Sequence, residues 1–248
     1  MRKIKICLIT VTYNAAKTLQ QCINSVINQT YPNLEYIIID GNSNDQTQLI
    51  IEGNKQHIHI FKSEADEGIY DAINKGIMLA TGDVIGTLNA DDYFVDSDVL
   101  NKVAQSFEES GAEIVYADLD YVNNKGKVIR KWRSGIYRRK RFNFGWMPPH
   151  PTFYAKRALF EKSGLYNIEY GTAADYELML RFMYVNNAKT FYLNKTIVKM
   201  TLGGVSNENY NSRLKAWRGD LNAMKNIGIA LPFMCLLCKP LRKISQFL

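Results

Sequence analysis

Two adjacent carboxylates, Asp91 and Asp92, directly follow an apolar run near the middle of the chain. The run covers 84–88 and predicts a short buried strand, so both side chains would lie at the strand's carboxyl end, where open α/β sheets bind ligands. Two neighbouring carboxylates repel each other, and a hard divalent cation shared with phosphate groups removes that cost. In the alternative interpretation, Asp91 is a turn residue and Asp92 caps the helix that follows.

Polar residues of the same kind follow three further predicted strands, which cover 5–11, 34–39 and 57–62. If the sheet is parallel, all four strand ends face one crevice. Asp40 is placed there to accept hydrogen bonds from a ribose or a base, and Gly41 allows the backbone to approach closely. Turns and helix caps explain each segment by itself but explain the repetition poorly. In chain order, the residues after these three strands are Thr12 and Asn14, Asp40 and Asp45, and Glu64 and Asp66.

Strand and helix patterns alternate through the first half of the chain. Helical patterns cover 15–29 and 69–80, and a third follows Asp45. This alternation predicts an α/β fold with a mainly parallel sheet and helices on both faces. The second half is less regular. Its patterns predict strands over 114–117 and 152–155, a hairpin of 119–122 with 127–132, helices over 156–163, 175–185 and 209–226, and an apolar, basic tail over 227–248.

Composition indicates the class of protein and the charge of its partners. With 248 residues, 46% of them hydrophobic and 22% charged, the chain is expected to form one large domain, or one domain with an appendage. The formal net charge of +7 favours anionic partners such as nucleotides, nucleic acid or anionic lipid. Cys7 and Cys22 fall in a predicted strand and helix, whereas Cys235 and Cys238 predict apolar surface rather than a zinc site or redox pair. This cysteine usage fits a reduced, cytosolic setting.

Two segments concentrate basic charge. Residues 130–141 hold seven Lys or Arg residues, which predicts contacts with the phosphates of a donor, of a lipid diphosphate acceptor or of a membrane surface, or else a solvated loop. Trp132 and Tyr137 would also suit nucleic acid, but no nucleic-acid-binding motif is present and no such partner is predicted. The tail over 227–248 is too short to span a bilayer, and its apolar and basic character is typical of a helix in an anionic membrane interface. The alternative is a helix packed on the body or on a second subunit of a homodimer.

Taken in chain order, the motifs resemble the pattern of glycosyltransferase family 2, and in particular of bacterial enzymes that build surface polysaccharides. The resemblance covers roughly residues 4–206. The motifs together are specific for the family, although each motif alone is weak evidence. The motifs that carry it are Val11-Thr12-Tyr13-Asn14, Asp40-Gly41-x-Ser43-x-Asp45, Glu64-x-Asp66-x-Gly68-Ile69-Tyr70-Asp71-Ala72-Ile73-Asn74-Lys75-Gly76, Leu88-Asn89-Ala90-Asp91-Asp92, His150-Pro151-Thr152-Phe153 and Thr172-Ala173-Ala174-Asp175-Tyr176-Glu177.

The resemblance implies a GT-A fold, in which 1–92 form the nucleotide-sugar half and 93–206 the acceptor half of one domain, followed by a helical tail over 207–248. It also implies a divalent metal, Mg²⁺ or Mn²⁺, held by Asp91 and Asp92. The family often has Asp-x-Asp-Asp where this chain has Asn89-Ala90-Asp91-Asp92, which leaves fewer carboxylates for the metal. The residues that the resemblance places at the nucleotide sugar are Thr12, Tyr13, Asn14, Asp40, Asp66, Asp91 and His150.

Asp175 is the predicted catalytic residue. Inverting sugar transfer needs one base to take a proton from the acceptor hydroxyl, while the leaving diphosphate needs positive charge. Asp175 opens a predicted helix, where the helix dipole would stabilise its charged form, although Asp is also a common helix cap. The match with the family at 172–177 favours the base, and Glu177 is its nearest competitor.

Two further features complete the predicted site. His150 lies in a proline-rich turn and would contact diphosphate, metal or acceptor, and Gly203-Gly204-Val205-Ser206 resembles a mobile loop that closes over the donor. The predicted function is transfer of a sugar from a nucleotide diphosphate donor, a UDP-sugar, to a saccharide or polyprenyl-linked saccharide at the inner face of the bacterial plasma membrane. The alternatives are a nucleotidyltransferase acting on sugar phosphates and a non-catalytic module that binds membrane surfaces.

Overall fold

The first half of the chain forms four parallel strands, β1 (Ile6–Thr12), β2 (Leu34–Asp40), β3 (Ile60–Ser63) and β4 (Val84–Thr87). The computed structural model describes residues 3–123, 125–201, 210–244 and 246–247. The strands lie in the order β3-β2-β1-β4 and pair in parallel, so their carboxyl ends meet at one edge of the sheet, as predicted. β3 begins three residues later than predicted because 55–57 form a 3-10 turn.

Helices cover both faces of these strands: α1 (Leu19–Ile27), α2 (Thr47–Gly53), α3 (Ile69–Leu79) and α4 (Val99–Ser110). Successive side chains of a strand point to opposite faces of a sheet. The even-numbered residues of β1, such as Leu8, therefore pack in the core that contains α1 and α4, and the odd-numbered ones, such as Ile9, pack in the core that contains α3. A strand with both faces buried is continuously apolar, which is why 5–11 is so clear in the sequence.

The second half extends the same sheet with β5 (Asp92–Phe94), β6 (Ile114–Val122), β7 (Val128–Trp132), β8 (Tyr154–Lys156) and β9 (Thr190–Thr201). β6 is one strand that joins the two predicted segments at 114–117 and 119–122. It pairs antiparallel with β7 and β8 and parallel with β9. β5 and β9 form an antiparallel pair that the sequence patterns do not predict.

The helices of the second half agree closely with prediction: α5 (Arg157–Ser163), α6 (Ala174–Met179), α7 (Tyr210–Ile227) and α8 (Pro232–Ile244). α6 continues through a π-helical turn, Leu180–Val185, so helical structure covers the whole of the predicted 175–185. α8 packs against a 3-10 segment, Arg139–Phe144, which overlaps the end of the basic segment over 130–141. Among the described residues, no helix is long and apolar enough to cross a membrane.

The prediction of apolar surface at Cys235 is wrong. The Cys235 side chain is fully buried, and its thiol donates to the carbonyl oxygen of Phe142 at 3.1 Å. A small apolar residue near a helix centre suits either a surface or a contact, and here the contact with the 3-10 segment buries it. Cys238, three residues later, is half-buried. The division into domains at residue 206 and the loop over 203–206 lie outside the described residues.

Candidate active site

The loops after β1 and β2 are joined by hydrogen bonds. The backbone N–H of Asn14 donates to Ser43 Oγ at 2.8 Å, and Asn14 Oδ1 accepts from the backbone N–H of Asn44 at 2.9 Å. The backbone N–H of Ala15 donates to Thr47 Oγ1 at 2.9 Å. Asn14 has a φ of 49°, in the left-handed region that asparagine tolerates better than most residues. Two of the predicted strand-end loops therefore form one connected unit.

Asp40, the last residue of β2, is fully buried and organises this unit. Its Oδ1 accepts from Ser43 Oγ, and its Oδ2 accepts from the backbone N–H of Ser43 at 3.0 Å, from Ser63 Oγ at 2.7 Å and from Gln48 Nε2 at 3.2 Å. A carboxylate has about four acceptor sites, so Oδ1 keeps capacity for one more donor. A contact with a nucleotide through Oδ1 stays a prediction.

Asp66 lies directly over Gly41. A Cβ built on Gly41 would collide with the Asp66 carboxylate and would lie 3.4 Å from Cδ2 of Tyr13. Asp66 Oδ1 accepts from the backbone N–H of Gly68 at 2.9 Å, and the Tyr13 side chain is 64% exposed. Two of the predicted nucleotide-sugar residues therefore meet at one glycine, and position 41 needs a glycine because the carboxylate occupies the space of a side chain.

Asp92 is fully buried at the start of β5, and Asp91 is half-buried beside it. Asp92 Oδ2 accepts from Asn89 Nδ2 at 3.2 Å. Burial raises the pKa of Asp92 well above its usual range, and the neighbouring Asp91 charge raises it further. Burial also raises the pKa of Asp91. Asp92 does not cap the next helix, because α4 begins at Val99 after an N-cap at Asp98.

Buried oxygen atoms at the carboxyl ends of β1 and β4 suit a hard cation. Asp92 Oδ1, Asn89 Oδ1 and Thr12 Oγ1 are buried without a hydrogen-bond partner among the described residues. Buried oxygens without a partner are costly, and Mg²⁺ and Mn²⁺ prefer oxygen ligands. No group of three or more His, Cys, Asp or Glu side chains in the described part of the chain lies close enough together to hold a metal ion. Asp91 and Asp92 would therefore need further ligands, which a bound diphosphate supplies.

Asp175 lies in the first turn of α6 but does not cap it, since the N-cap residue is Ala173. Asp175 Oδ1 accepts from the backbone N–H of Tyr176 at 2.7 Å. Burial raises the pKa of Asp175 to about 6, against the lowering effect of the Lys239 cation. The Tyr70 hydroxyl, near the start of α3, lies close enough to the Asp175 carboxylate to lower its pKa. Since Tyr70 follows Asp66 by only four residues, the loop that carries Asp66 ends near Asp175.

His150 supports this side of the site through aromatic contacts. Its Nε2 lies 2.8 Å from the Tyr166 hydroxyl, and the Tyr166 ring stacks on Tyr70 with centroids 5.3 Å apart. The His150 ring packs edge to face on Tyr70 at 6.0 Å. Burial lowers the pKa of His150 to about 4, so its imidazole is uncharged at neutral pH. These contacts position Tyr70, and a contact of His150 with the nucleotide sugar stays a prediction.

Tyr121 of β6 connects the two groups of carboxylates. Burial raises the pKa of its phenol, Arg130 lowers it, and the charges of Asp92 and Asp175 raise it further. Asp92 and Asp175 therefore both lie within electrostatic reach of one side chain. The Arg130 guanidinium lies 4.4 Å from the centroid of the Tyr121 ring. The metal candidates and the base candidate are thus both near Tyr121.

Glu177, the competitor for the role of base, is engaged in a bidentate ion pair. Its Oε1 and Oε2 accept from Nε and Nη2 of Arg181, each at 2.8 Å. Arg181 also donates to the carbonyl oxygens of Gly164 and Leu165. Each carboxylate oxygen of Glu177 is paired with the Arg181 cation, which favours Asp175 as the carboxylate of this helix that receives a proton.

The C-terminal helices reach the residue next to Asp175. Lys239 Nζ of α8 lies 3.3 Å from the centroid of the Tyr176 ring and 2.7 Å from Oδ2 of Asp220 in α7. The Tyr176 hydroxyl lies 3.5 Å from Cys235 Sγ. Part of the predicted tail over 227–248 therefore packs on the body of the protein beside Asp175.

Sequence reasoning missed Tyr70, Tyr121 and Lys239 as parts of this crevice. Tyr70 stands within the segment over 64–76 that carries the family resemblance, so a signal for it was present. Tyr121 and Lys239 carry no such signal, because their places depend on the pairing of β6 and on the packing of α8.

The fold matches that of known glycosyltransferases. The structure of S. aureus TarS 1–349 in complex with UDP-GlcNAc matches 98% of this chain and 73% of that one, with a TM-score of 0.72 and 19% identity. The mannosyltransferase PcManGT from Pyrobaculum calidifontis, in complex with GDP-Man and Mn²⁺, matches 96% of this chain and 70% of that one, with a TM-score of 0.67 and 17% identity. The fold is therefore the GT-A fold.

Sequence comparison identifies the family to which the chain belongs. The model of the family described as Glycosyl transferase family 2 matches residues 7–168. The PGL/p-HBAD biosynthesis glycosyltransferase of Mycobacterium tuberculosis is 30% identical over 209 residues, which are 81% of this chain and 78% of that protein. The chain belongs to glycosyl transferase family 2.

Proposed function

We propose that the protein is an inverting glycosyltransferase that moves a sugar from a UDP-sugar to a hydroxyl of a saccharide or lipid-linked saccharide in bacterial surface polysaccharide synthesis. The observation that carries the proposal is the parallel sheet whose strand ends bring the joined loops after β1 and β2, with buried Asp40, to the same edge as Asp91 and Asp92. The naming of a relative as a biosynthesis glycosyltransferase and the UDP-GlcNAc complex of a structural neighbour support the choice of donor and pathway class.

Asp175 acts as the general base. Direct displacement at the anomeric carbon needs one carboxylate, which takes the proton of the acceptor hydroxyl as that oxygen attacks. A pKa of about 6 leaves Asp175 mostly deprotonated at neutral pH while keeping it more basic than an ordinary carboxylate. The backbone N–H of Tyr176 donates to this carboxylate, and Tyr70 would help to orient it.

Asp91 and Asp92 would hold a Mg²⁺ or Mn²⁺ ion together with the donor diphosphate. The unpartnered oxygens Asp92 Oδ1 and Asn89 Oδ1 fit such an ion among the described residues. When bound, a divalent cation supplies positive charge that stabilises the leaving diphosphate. The chain's own contribution is a rigid, dry carboxylate whose single hydrogen bond to Asn89 leaves one oxygen available.

The unit formed by the loops after β1 and β2 would bind the nucleoside. Asp40 would accept from the ribose or base, and Thr12, Asn14 and Asp66 would line the same edge of the sheet. Tyr13 presents an exposed ring on which a base could stack. Asp91 would contact the ribose or metal, and His150 would act through the aromatic contacts described above.

The proposal places the enzyme at the cytoplasmic face of the plasma membrane, where polyprenyl-linked acceptors are assembled. A peripheral contact with that membrane would bring the enzyme to such acceptors.

The direct test is turnover of a panel of UDP-, GDP- and dTDP-sugars, followed by NMR of the product's anomeric proton. We expect UDP release with one UDP-sugar and a product whose anomeric configuration is opposite to that of the donor. A product with retained configuration would contradict the inverting mechanism. Release of pyrophosphate from a nucleoside triphosphate would instead indicate a nucleotidyltransferase.

A further inference from the structure

Helix α8 has two opposite faces, one of which is fixed to the body of the protein. Cys235 and Leu236 are buried, and the thiol of Cys235 donates to the carbonyl of Phe142. A Cβ on Gly145 would lie 2.7 Å from the backbone N of Lys239, so the helix backbone packs directly on that glycine. These contacts determine which face of α8 points away from the protein.

The outward face is a stripe of large apolar side chains. Phe233, Leu237, Leu241 and Ile244 recur at helical spacing and are 62%, 64%, 63% and 61% exposed. Leu231, just before the helix, is 55% exposed. Single exposed apolar residues are ordinary, but a continuous stripe on a helix that is otherwise docked indicates an interaction surface.

The charge around the stripe indicates the chemistry of the partner. Residues 227–248 contain no Asp or Glu, and Arg242 and Lys243 lie between the apolar residues Leu241 and Ile244. The 3-10 segment Arg139–Phe144, which packs on α8, overlaps the basic segment at residues 139–141. Burial lowers the pKa of Arg242, and the nearby Arg141 cation lowers it further, so like charges lie close together at this surface. The partner is therefore both apolar and anionic.

A lipid surface meets these requirements better than a second copy of the chain. A helix with one apolar face and flanking basic residues lies in the plane of a bilayer interface, with its apolar side chains among the acyl chains. Basic residues beside it gain from the negative potential of anionic lipids. In a symmetric dimer formed through the same stripe, the basic surface of one copy would face the basic surface of the other, and the like charges would repel.

We propose that the exposed face of α8, with the basic segment over 130–141, docks the protein on an anionic lipid bilayer. The opposite face of the same helix carries Lys239, which contacts Tyr176 beside Asp175. The bilayer would thus lie about one helix diameter, roughly 10–12 Å, from this wall of the crevice. Only the further step, that the docked enzyme takes a lipid-linked acceptor at Asp175, rests on the proposed function.

The test is flotation of the full-length protein with vesicles of phosphatidylglycerol mixed with phosphatidylcholine, compared with vesicles of phosphatidylcholine alone. We expect binding to the anionic vesicles that weakens with salt. The variant Leu237→Gln/Leu241→Gln should bind about a hundredfold less tightly, at about tenfold for each side chain. The control Leu49→Gln/Met78→Gln changes two equally exposed apolar residues elsewhere and should bind as the unaltered protein does. Arg138→Gln/Lys140→Gln should weaken binding roughly fivefold for each charge.

Absence of binding to anionic vesicles, or equal binding by the Leu237→Gln/Leu241→Gln variant and its control, would overturn the proposal. Analytical ultracentrifugation distinguishes the other occupant, because a dimer that the same variant converts to a monomer, without vesicle binding, would assign the face to a second copy. Vesicle binding is measured without donor sugar, so it can succeed or fail independently of glycosyl transfer. With a soluble acceptor, UDP release by this variant should equal that of the unaltered protein.

Discussion

Lys239 Nζ lies 3.3 Å from the centroid of the Tyr176 ring, at the residue that directly follows Asp175. A helix near the end of the chain thereby places a cation beside the candidate base. The Lys239 charge lowers the pKa of Asp175 against the effect of burial, and the Asp220 charge, which Lys239 partly neutralises, raises it. The C-terminal helices therefore contribute to the electrostatics of the crevice.

The effect of Lys239 on the pKa of Asp175 should be visible in the pH dependence of the reaction. Asp175 is active as a base only when it is deprotonated, so kcat/KM should fall as the pH drops through about 6. Lys239→Met removes the cation that lowers this pKa and leaves Asp220 uncompensated, so the acidic limb should move to higher pH. Lys239→Arg should restore the limb, and Lys225→Met, an exposed lysine of α7, should leave it unchanged. An unmoved limb in Lys239→Met would show that the helix does not act on the base.

Gly41→Ala tests the contact between the β2 loop and Asp66. The added methyl group collides with the Asp66 carboxylate, which must move away from the predicted donor site. We expect the Kd for UDP to rise by about tenfold, or roughly 1.4 kcal/mol. Gly53→Ala is the matched control, since its Cβ would meet nothing within 4 Å. Equal affinities for UDP in the two variants would place the nucleotide away from this loop.

Glu177→Gln should destabilise the fold rather than abolish catalysis. It breaks an i,i+4 ion pair whose Glu177 and Arg181 side chains are only 8% and 20% exposed, and we expect a loss of about 3 kcal/mol in the free energy of unfolding. Glu161→Gln breaks a pair of the same spacing with Arg157, whose side chains are 57% and 40% exposed, and should cost less than about 1 kcal/mol. Urea denaturation gives both values. A large fall in kcat of correctly folded Glu177→Gln would return Glu177 to the role of base.

Asp92→Ala tests the metal assignment. Calorimetric titration with UDP and Mn²⁺ should show binding that EDTA weakens, and the variant should bind UDP equally weakly with and without the metal. Asp96→Ala, a nearby exposed carboxylate whose side chain pairs with Lys102, is the control and should retain the metal effect. If UDP binding to the unaltered protein ignored the metal, Asp91 and Asp92 would not be a working metal site.

The parts of the fold that the sequence predicts well are those with local signals. The strand over 5–11 is apolar throughout because both faces of β1 are buried, and the helix over 69–80 has the period of one buried face. β9 is different: Thr190–Thr201 mixes charged and apolar residues, and it is extended because it pairs with β6, far away in the chain. No local pattern in the sequence could predict that pairing.

The residues of the candidate site also divide into those with a local sequence signal and those placed by tertiary contacts. Asp40, Asp66, Asp91 and Asp92 are recognisable because they follow strands that are themselves recognisable, and a parallel sheet brings strand ends together. The surroundings of Asp175 depend instead on tertiary contacts, such as those of Tyr70. They also depend on the tail over 227–248, whose sequence is apolar and basic but does not show which face of its helix is buried. Cys235 illustrates this: its residue type suits a surface as well as the buried contact with Phe142.

The most direct test of the proposed mechanism is the rate of sugar transfer by Asp175→Asn at neutral pH, measured as UDP release with the cognate donor and acceptor. The variant keeps the size of the side chain and removes its basicity, so the rate should fall by about 10²–10⁴-fold while the Kd for UDP stays unchanged. Glu169→Gln, at an exposed carboxylate six residues earlier, should transfer at the normal rate. Full activity in correctly folded Asp175→Asn would contradict the assignment of Asp175 as the base.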